Sequence, residues 1–371
     1  MKVDDIPVVL DEDAASEGVN EFRQAAPGYL QELIEQVHGI EGLDSLDQLH
    51  EEDMKALAGG SMSADYAVRA RGKWVVVKFR SQGAEAEAEA LRAWKKAGAD
   101  VVAVYNDGVI PSTKEKEHPV KFLVLEAAQD EKNELAPTAQ DYLKDHPEEA
   151  KAIGQVMGRV LAAMHRAQDG SNYGNFADMW GSEENPPQSW NAYLIGYVDE
   201  HRQDLLDLGF TELKLKNLKR VLEKMGFPKN GVYLHGDFST RNAMLVDHSP
   251  QTGNRSFQVK IIDPNPLIGQ PSWDLAVLRN NLEFARRKVL HRPDNPDFQK
   301  ELSVQRDIYD GVMEGYRESG GPDIDLQALD AAMLMQTLYL LPGKERKTEG
   351  ENLEALVVKD TLFDKLEALA Y

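Results

Sequence analysis

The spacing of apolar residues changes period along the chain, and the change divides it. From about Ala56, Tyr66, Val68 and Ala70 alternate with polar neighbours, and Trp74-Val75-Val76-Val77-Lys78-Phe79 follows the turn Arg71-Gly72-Lys73. A period of two on both sides of a glycine turn predicts a β-hairpin, here headed by the small residues Gly59-Gly60-Ser61. Residues 84–97, rich in Ala, Glu and Leu, predict a helix. Val101–Tyr105 and Val120–Leu125 predict two more strands, separated by a charged connection at Pro111–Pro119.

Past Glu126 the period lengthens. Ile153, Val156, Met157, Val160, Leu161 and Met164 recur at helical spacing within a long helix over 147–168. A Gly/Asn/Pro-rich loop at 170–188, two helices over 189–225, a strand–loop–strand unit at 232–263 and further helices complete the order. Residues 1–54 read as an acidic, mostly helical extension, with Leu30, Ile34, Val37 and His38 on one face after Pro27-Gly28. The pattern predicts an α+β chain, with a small β-rich lobe over 55–128 and a larger, mainly helical lobe over 129–371. A length of 371 residues agrees, since one compact core seldom grows that large.

Charge narrows the possible functions. The formal net charge is −21, which argues against general nucleic-acid binding, because such affinity rests on Lys and Arg neutralising phosphates. Residues 1–58 hold fifteen acidic residues against Lys2, Arg23 and Lys55, so much of the excess lies outside the segments that carry chemistry. No stretch approaches the roughly 20 apolar residues of a membrane span. The acidic start does not read as a signal peptide, and a cytoplasmic protein is the expectation. The absence of cysteine excludes disulfides, thiolate catalysis and Cys-ligated zinc.

Three segments carry candidate chemistry. In Leu234-His235-Gly236-Asp237-Phe238-Ser239-Thr240-Arg241-Asn242, apolar residues flank a polar loop with Asp237 and Asn242 five positions apart. Phosphoryl transfer needs a carboxylate to orient the attacking hydroxyl and take its proton, and oxygen ligands for the magnesium that bridges the phosphates. One loop with this spacing can supply both. Val259-Lys260-Ile261-Ile262-Asp263-Pro264 is an apolar strand ending in a carboxylate that could complete the metal site. Lys78, closing the Val75–Val77 run, places an ammonium where nucleotide phosphates could lie. Gly59-Gly60 lacks the spacing of a phosphate-loop fingerprint, but Ser61 and Ser63 could still present backbone N–H groups to phosphates.

In this order the motifs resemble the aminoglycoside phosphotransferase-like small-molecule kinase family, relatives of protein kinases. His235-Gly236-Asp237-Phe238 through Asn242 looks like its catalytic loop. Ile262-Asp263-Pro264, with Pro266-Leu267, Gly269, Pro271 and Asp274-Leu275-Ala276, looks like its metal segment, closest to the streptomycin kinase and hydroxyurea phosphotransferase branch. The resemblance covers roughly residues 55–285. It implies a protein-kinase-like bilobal fold, ATP and Mg2+, Asp237 as catalytic base, and Asn242 with Asp263 as metal ligands. Lys78 would hold the phosphates, paired with a helix glutamate. Of Glu85, Glu87 and Glu89, Glu87 shares a face with Leu91 and Trp94 and so points inward. Backbone groups around Ala127–Gln129 would bind adenine, and Asp274 would accept bonds from the catalytic-loop backbone.

The acceptor implied is a small hydroxyl compound: an aminoglycoside, amino sugar or related polyol. Net acidity, with Glu283, Asp307, Asp310 and Glu314 on later helices, fits a cationic acceptor; an ordinary solvated helix face is the other reading of those four. Rival readings are a kinase of a non-cationic alcohol, a protein kinase, and a silent nucleotide-binding regulator. Only ten residues separate Asp263 from Asp274, too few for an activation loop and peptide platform, and every expected reactive position is filled. His235 reads as a loop-holding residue and His165 as a packed or capping one, while Arg241 could touch phosphate or solvent.

Overall fold

The computed structural model describes residues 24–30, 32–33, 54–57, 63–70, 73–80, 83–110, 120–130, 132–167, 174–175, 189–207, 210–227, 231–247, 257–345, 353, 357–358, 360–362 and 364–365. Ser61, Gly59-Gly60, Ile34, Val37, His38 and nearly all of the 170–188 loop lie outside these residues.

The smaller lobe is built on the predicted hairpin. Strands β1 (Met54–Leu57), β2 (Ser63–Ala70), β3 (Lys73–Arg80), β4 (Val104–Ile110) and β5 (Val120–Glu126) form one antiparallel sheet in the order β1-β2-β3-β5-β4. Alternation along β3 sorts its side chains to two faces. Val75, Val77 and Phe79 join a core with Ala26, Tyr29, Leu30 and Leu33, so the described part of the N-terminal extension covers the outer face of the sheet. Tyr29 and Phe79 rings lie 6.0 Å apart. The opposite face carries Lys78 and Arg80 towards helix α1 (Ala84–Lys96).

The Val101–Tyr105 expectation is corrected. The sheet strand starts at Val104, whereas Asp100–Val102 pairs with the other lobe: Ile261 N–H donates to Asp100 O at 3.0 Å and Val102 N–H to Ile261 O at 3.3 Å. The start of the apolar run serves a second ladder and its end enters the sheet.

The larger lobe is mainly helical: α2 (Ala139–Asp145), α3 (Ala150–His165), α4 (Trp190–Glu200), α5 (Arg202–Asp207), α6 (Glu212–Lys224), α7 (Ser272–His291), α8 (Pro296–Glu318) and α9 (Leu326–Glu345). Two helices were expected over 189–225, and three occur, because Thr211 caps a fresh start by accepting from Lys214 N–H. Glycines let α3 and α8 touch backbone to backbone; a Cβ at Gly158 would sit 2.2 Å from Val312 O. Short strands complete the lobe: β6 (Gly174–Asn175), β7 (Val232–Leu234), β8 (Ala243–Asp247), β9 (Gln258–Ile261) and β10 (Leu267–Gly269), with β8 paired to β9 and β10 between β6 and β7. The fold is α+β, bilobal and protein-kinase-like. Among the described residues no helix is long and apolar enough to cross a membrane.

Candidate active site

A cavity of about 770 Å³ opens between the lobes. Val76, Val102, Leu125, Met244 and Ile262 give it an apolar end, and Lys78, Asp237, Asn242 and Asp263 give it a polar one.

The polar end is a charge cluster assembled from both lobes. Lys78 Nζ lies 2.8 Å from Glu87 Oε1 and 2.5 Å from Asp263 Oδ1. Arg80, two residues along the same face, lies 3.0 Å from Glu87 Oε2 and 3.9 Å from Asp263 Oδ1. Burial alone would depress the Lys78 pKa, but the Asp263 and Glu87 carboxylates outweigh it and hold the pKa above its ordinary value. Burial likewise opposes ionisation of Asp263, yet Lys78 and Arg80 bring its pKa down to about 2. Asp263 adopts φ 52°, a left-handed conformation that Asp tolerates better than most residues and that is typical of strained functional positions.

Glu87 is fully buried, as its helical face required. Glu85 instead pairs with Lys121 at 2.8 Å, and Glu89 accepts from Tyr233 Oη–H at 3.0 Å.

The His235–Asn242 loop is held through its backbone N–H groups. Asp274 is fully buried and accepts from His235 N–H and Gly236 N–H, each at 2.8 Å. Gly236 has φ 80°, and a Cβ there would sit 2.0 Å from Asn265 O, so only glycine fits. His235 Nε2 donates to Ile262 O at 2.9 Å while Nδ1 accepts from Asp237 N–H at 3.3 Å, which makes His235 a brace between the two motif segments. Asn242 Nδ2 donates to Asp237 O at 2.8 Å and to Asp237 Oδ2 at 3.0 Å, leaving the amide oxygen as its free end. Ile262 N–H donates to Asn242 O at 2.9 Å, bringing the backbones of Asn242 and Asp263 close together.

Behind Asp274, His165 Nε2 lies at 3.0 Å and its Nδ1 lies 2.8 Å from Tyr316 Oη. With Asp274 as the acceptor, the network assigns the proton to Nε2 and makes Tyr316 the donor to Nδ1. His165 is therefore packed, with a partner on each nitrogen.

The segment after β5 borders the cavity and packs against the sheet. Ala128 lines the cavity, whereas Ala127 is buried against Ala67 and Trp74. The Gln129 side chain is tied to the Trp74 backbone by two bonds of 3.2 Å.

Two groups escaped the sequence reading. Asp65 stands opposite Lys78 in the β2–β3 register and lines the cavity. Burial pushes its pKa up to about 6, with Lys78 opposing. Arg80 is the other. Both were within reach, because a turn pairing Ala70 with Lys73 fixes Asp65 against Lys78. Among the described residues no cluster of three or more His, Asp or Glu forms a ready-made metal cage.

The phosphotransferase enzyme family matches residues 53–285. No functionally curated protein matches the chain. Of similar solved structures, the aminoglycoside phosphotransferase APH(4)-Ia has a TM-score of 0.56 at 16% identity, covering 92% of this chain and 99% of that one. A thermostable mutant of that enzyme in ternary complex with AMP-PNP and hygromycin B has a TM-score of 0.53 at 16% identity, covering 91% and 97%. With ADP and hygromycin B bound, another mutant gives 0.51 at 16% identity, covering 85% and 94%. Identities this low speak for the shared fold, and the family match, spanning more than half the chain with the motif loops inside it, places the chain in the phosphotransferase enzyme family as a small-molecule kinase.

Proposed function

We propose that the protein transfers the γ-phosphoryl group of ATP to a hydroxyl of a sugar-like or polyol small molecule, with Mg2+ as cofactor. The observation that carries this reading is the meeting of Asp237 and Asn242, from one loop, with Lys78 and Asp263 around one interlobe cavity, Glu87 holding Lys78 from behind.

Adenine would occupy the apolar end, against the backbone of Ala127–Gln129. Lys78, held by Glu87, would present its ammonium to the phosphates. Asp237, whose side chain is 43% exposed, would accept the acceptor's proton as its oxygen attacks the γ-phosphorus. The bond from the γ-phosphorus to the bridging oxygen then breaks and ADP leaves.

The donor set fits magnesium: Asn242 offers an amide oxygen and Asp263 a carboxylate, too few for an all-protein cage but suited to a cation that shares its shell with phosphates. When bound, the ion would offset phosphate charge. Asn242 and Asp263 would hold it.

The test is Asp237→Ala, read by ADP release and by AMP-PNP binding. Turnover should fall about 10²–10⁴-fold with nucleotide affinity nearly unchanged. A variant retaining more than about a tenth of wild-type turnover would remove Asp237 from the base role.

A further inference from the structure

We infer that the acceptor is a polyhydroxylated molecule without ammonium groups, bound in a second cavity beneath the catalytic loop. The inference rests on the kinase reading above and names its substrate class.

This second cavity, of about 470 Å³, adjoins the nucleotide cavity, since Gln140 and Arg241 line both. A hydroxyl bound there would lie beside the loop that carries Asp237. The volume falls in the ordinary range for small-ligand sites.

The charges of its wall argue against a cationic guest. Among the described residues, three charged ones line it: Arg241, Lys288 and Glu301. Lys288 Nζ lies 2.8 and 3.1 Å from the two Glu301 oxygens, so that pair satisfies itself. Arg241 has a 64% exposed side chain, with Asp237 Oδ1 at 3.7 Å. The described wall therefore carries one net positive charge and no carboxylate without a cation. An ammonium entering it would give up hydration without an anionic partner, which is unfavourable in a confined site.

The expected acidic residues do not alter this, because none of the four lines the cavity. Glu283 is held by Arg286 and Arg287, and Glu314 by Lys151, with Asp307 and Asp310 near the same lysine.

The rest of the wall suits hydroxyls. Gln140, Asn281 and Gln305 each offer both a donor and an acceptor. Ser239 is 4% exposed, and its Oγ has no hydrogen-bond partner among the described residues. Phe284 adds an apolar face for ring carbons. Such a mixture of neutral amides, a free hydroxyl and one aromatic ring recognises many hydroxyl groups without demanding charge. Arg241 leaves room for an acidic substituent.

The experiment follows transfer of labelled γ-phosphate from ATP to three matched sets: neutral sugars and cyclitols, the corresponding sugar acids, and their amino counterparts. A neutral or acidic member should exceed its amino counterpart by at least about tenfold in kcat/KM. Gln305→Ala and Phe284→Ala should each raise KM for that acceptor severalfold while leaving the magnesium–AMP-PNP thermal shift unchanged. If Phe284→Ala does not fold, Gln305→Ala alone decides. An amino compound as best acceptor, with KM climbing as salt is added, overturns the inference. So does transfer to no amine-free compound by a protein that binds magnesium–AMP-PNP. Failure to bind magnesium–AMP-PNP would instead strike the kinase reading on which the inference stands.

Discussion

Lys78 and Asp263, 185 residues apart in sequence, meet at 2.5 Å across the cleft and close it with an ion pair. The carboxylate proposed to hold magnesium is thus kept ionised by the lysine ammonium beside it. ATP should raise the melting temperature more with magnesium than without, by mass action on the folded state. In Asp263→Asn the magnesium-dependent part of that rise should shrink. A full magnesium response in the variant would place the metal elsewhere.

The same pair sets an acid limit on stability. Asp263 has its folded pKa lowered to about 2, so its stabilising effect is complete above the ordinary aspartate value of about 4 and fades as pH falls towards 2. The wild-type advantage over Asp263→Asn in nucleotide-free protein should therefore narrow across that window. A difference constant from neutral pH down to pH 2 would contradict the ion pair's contribution. Melting curves on both proteins measure it.

Asp65 works in the opposite direction. Its folded pKa of about 6 lies above the unfolded one, so its ionisation opposes folding as pH rises from about 4 through 6. The cost is full at higher pH and absent below about 4. Asp65→Asn should stabilise the protein by about 1–2 kcal/mol near pH 7.5 and tighten ATP binding by removing an anion from the phosphate end. Below about pH 4 the two proteins should converge. Denaturant titrations at two pH values, with ATP titrations alongside, test both effects.

Glu87 serves two cations, Lys78 and Arg80. Glu87→Ala leaves both buried and short of a partner, and should cost about 3–5 kcal/mol. Glu87→Gln keeps the shape and one acceptor oxygen, so it should cost less and affect turnover more than folding. A Glu87→Gln variant as stable as the wild type would show that charge at Glu87 is immaterial.

Tyr316 supplies the one proton that His165 Nδ1 accepts. Tyr316→Phe removes that donor inside the core, at about 1–2 kcal/mol. Because Asp274 would still be held by His165, His235 N–H and Gly236 N–H, kcat should change less than twofold. A large fall in kcat would mean that the hydroxyl helps position the loop.

How much of this was legible depended on whether a residue's neighbours could be read along one element. Asp237 and Asn242 share a loop, and Glu87 was singled out by the turn-to-turn face it shares with Leu91 and Trp94, so spacing together with the family resemblance marked them as candidates. Asp65 and Arg80 needed the register of a hairpin as well as its existence. The second cavity was beyond sequence reasoning, because Ser239, Asn281 and Gln305 come from three elements whose approach is set by packing. The partners of the acidic residues on α7 and α8 were out of reach for the same reason: a count cannot show that Glu283 faces Arg287 or that Glu314 faces Lys151.

The ladder between Asp100–Val102 and β9 means that the lobes are sewn together at two places, the chain crossing after Glu126 and this backbone pairing. Helix α1 is fastened too, its Trp94 ring stacked 6.1 Å from His235 and its Glu89 bonded to Tyr233. Opening the cleft must therefore work against the Asp100–Val102 ladder, the contacts of α1 and the Lys78–Asp263 ion pair together. Glu87 rides on that same helix, so the Lys78–Glu87 pair is braced by contacts to both lobes.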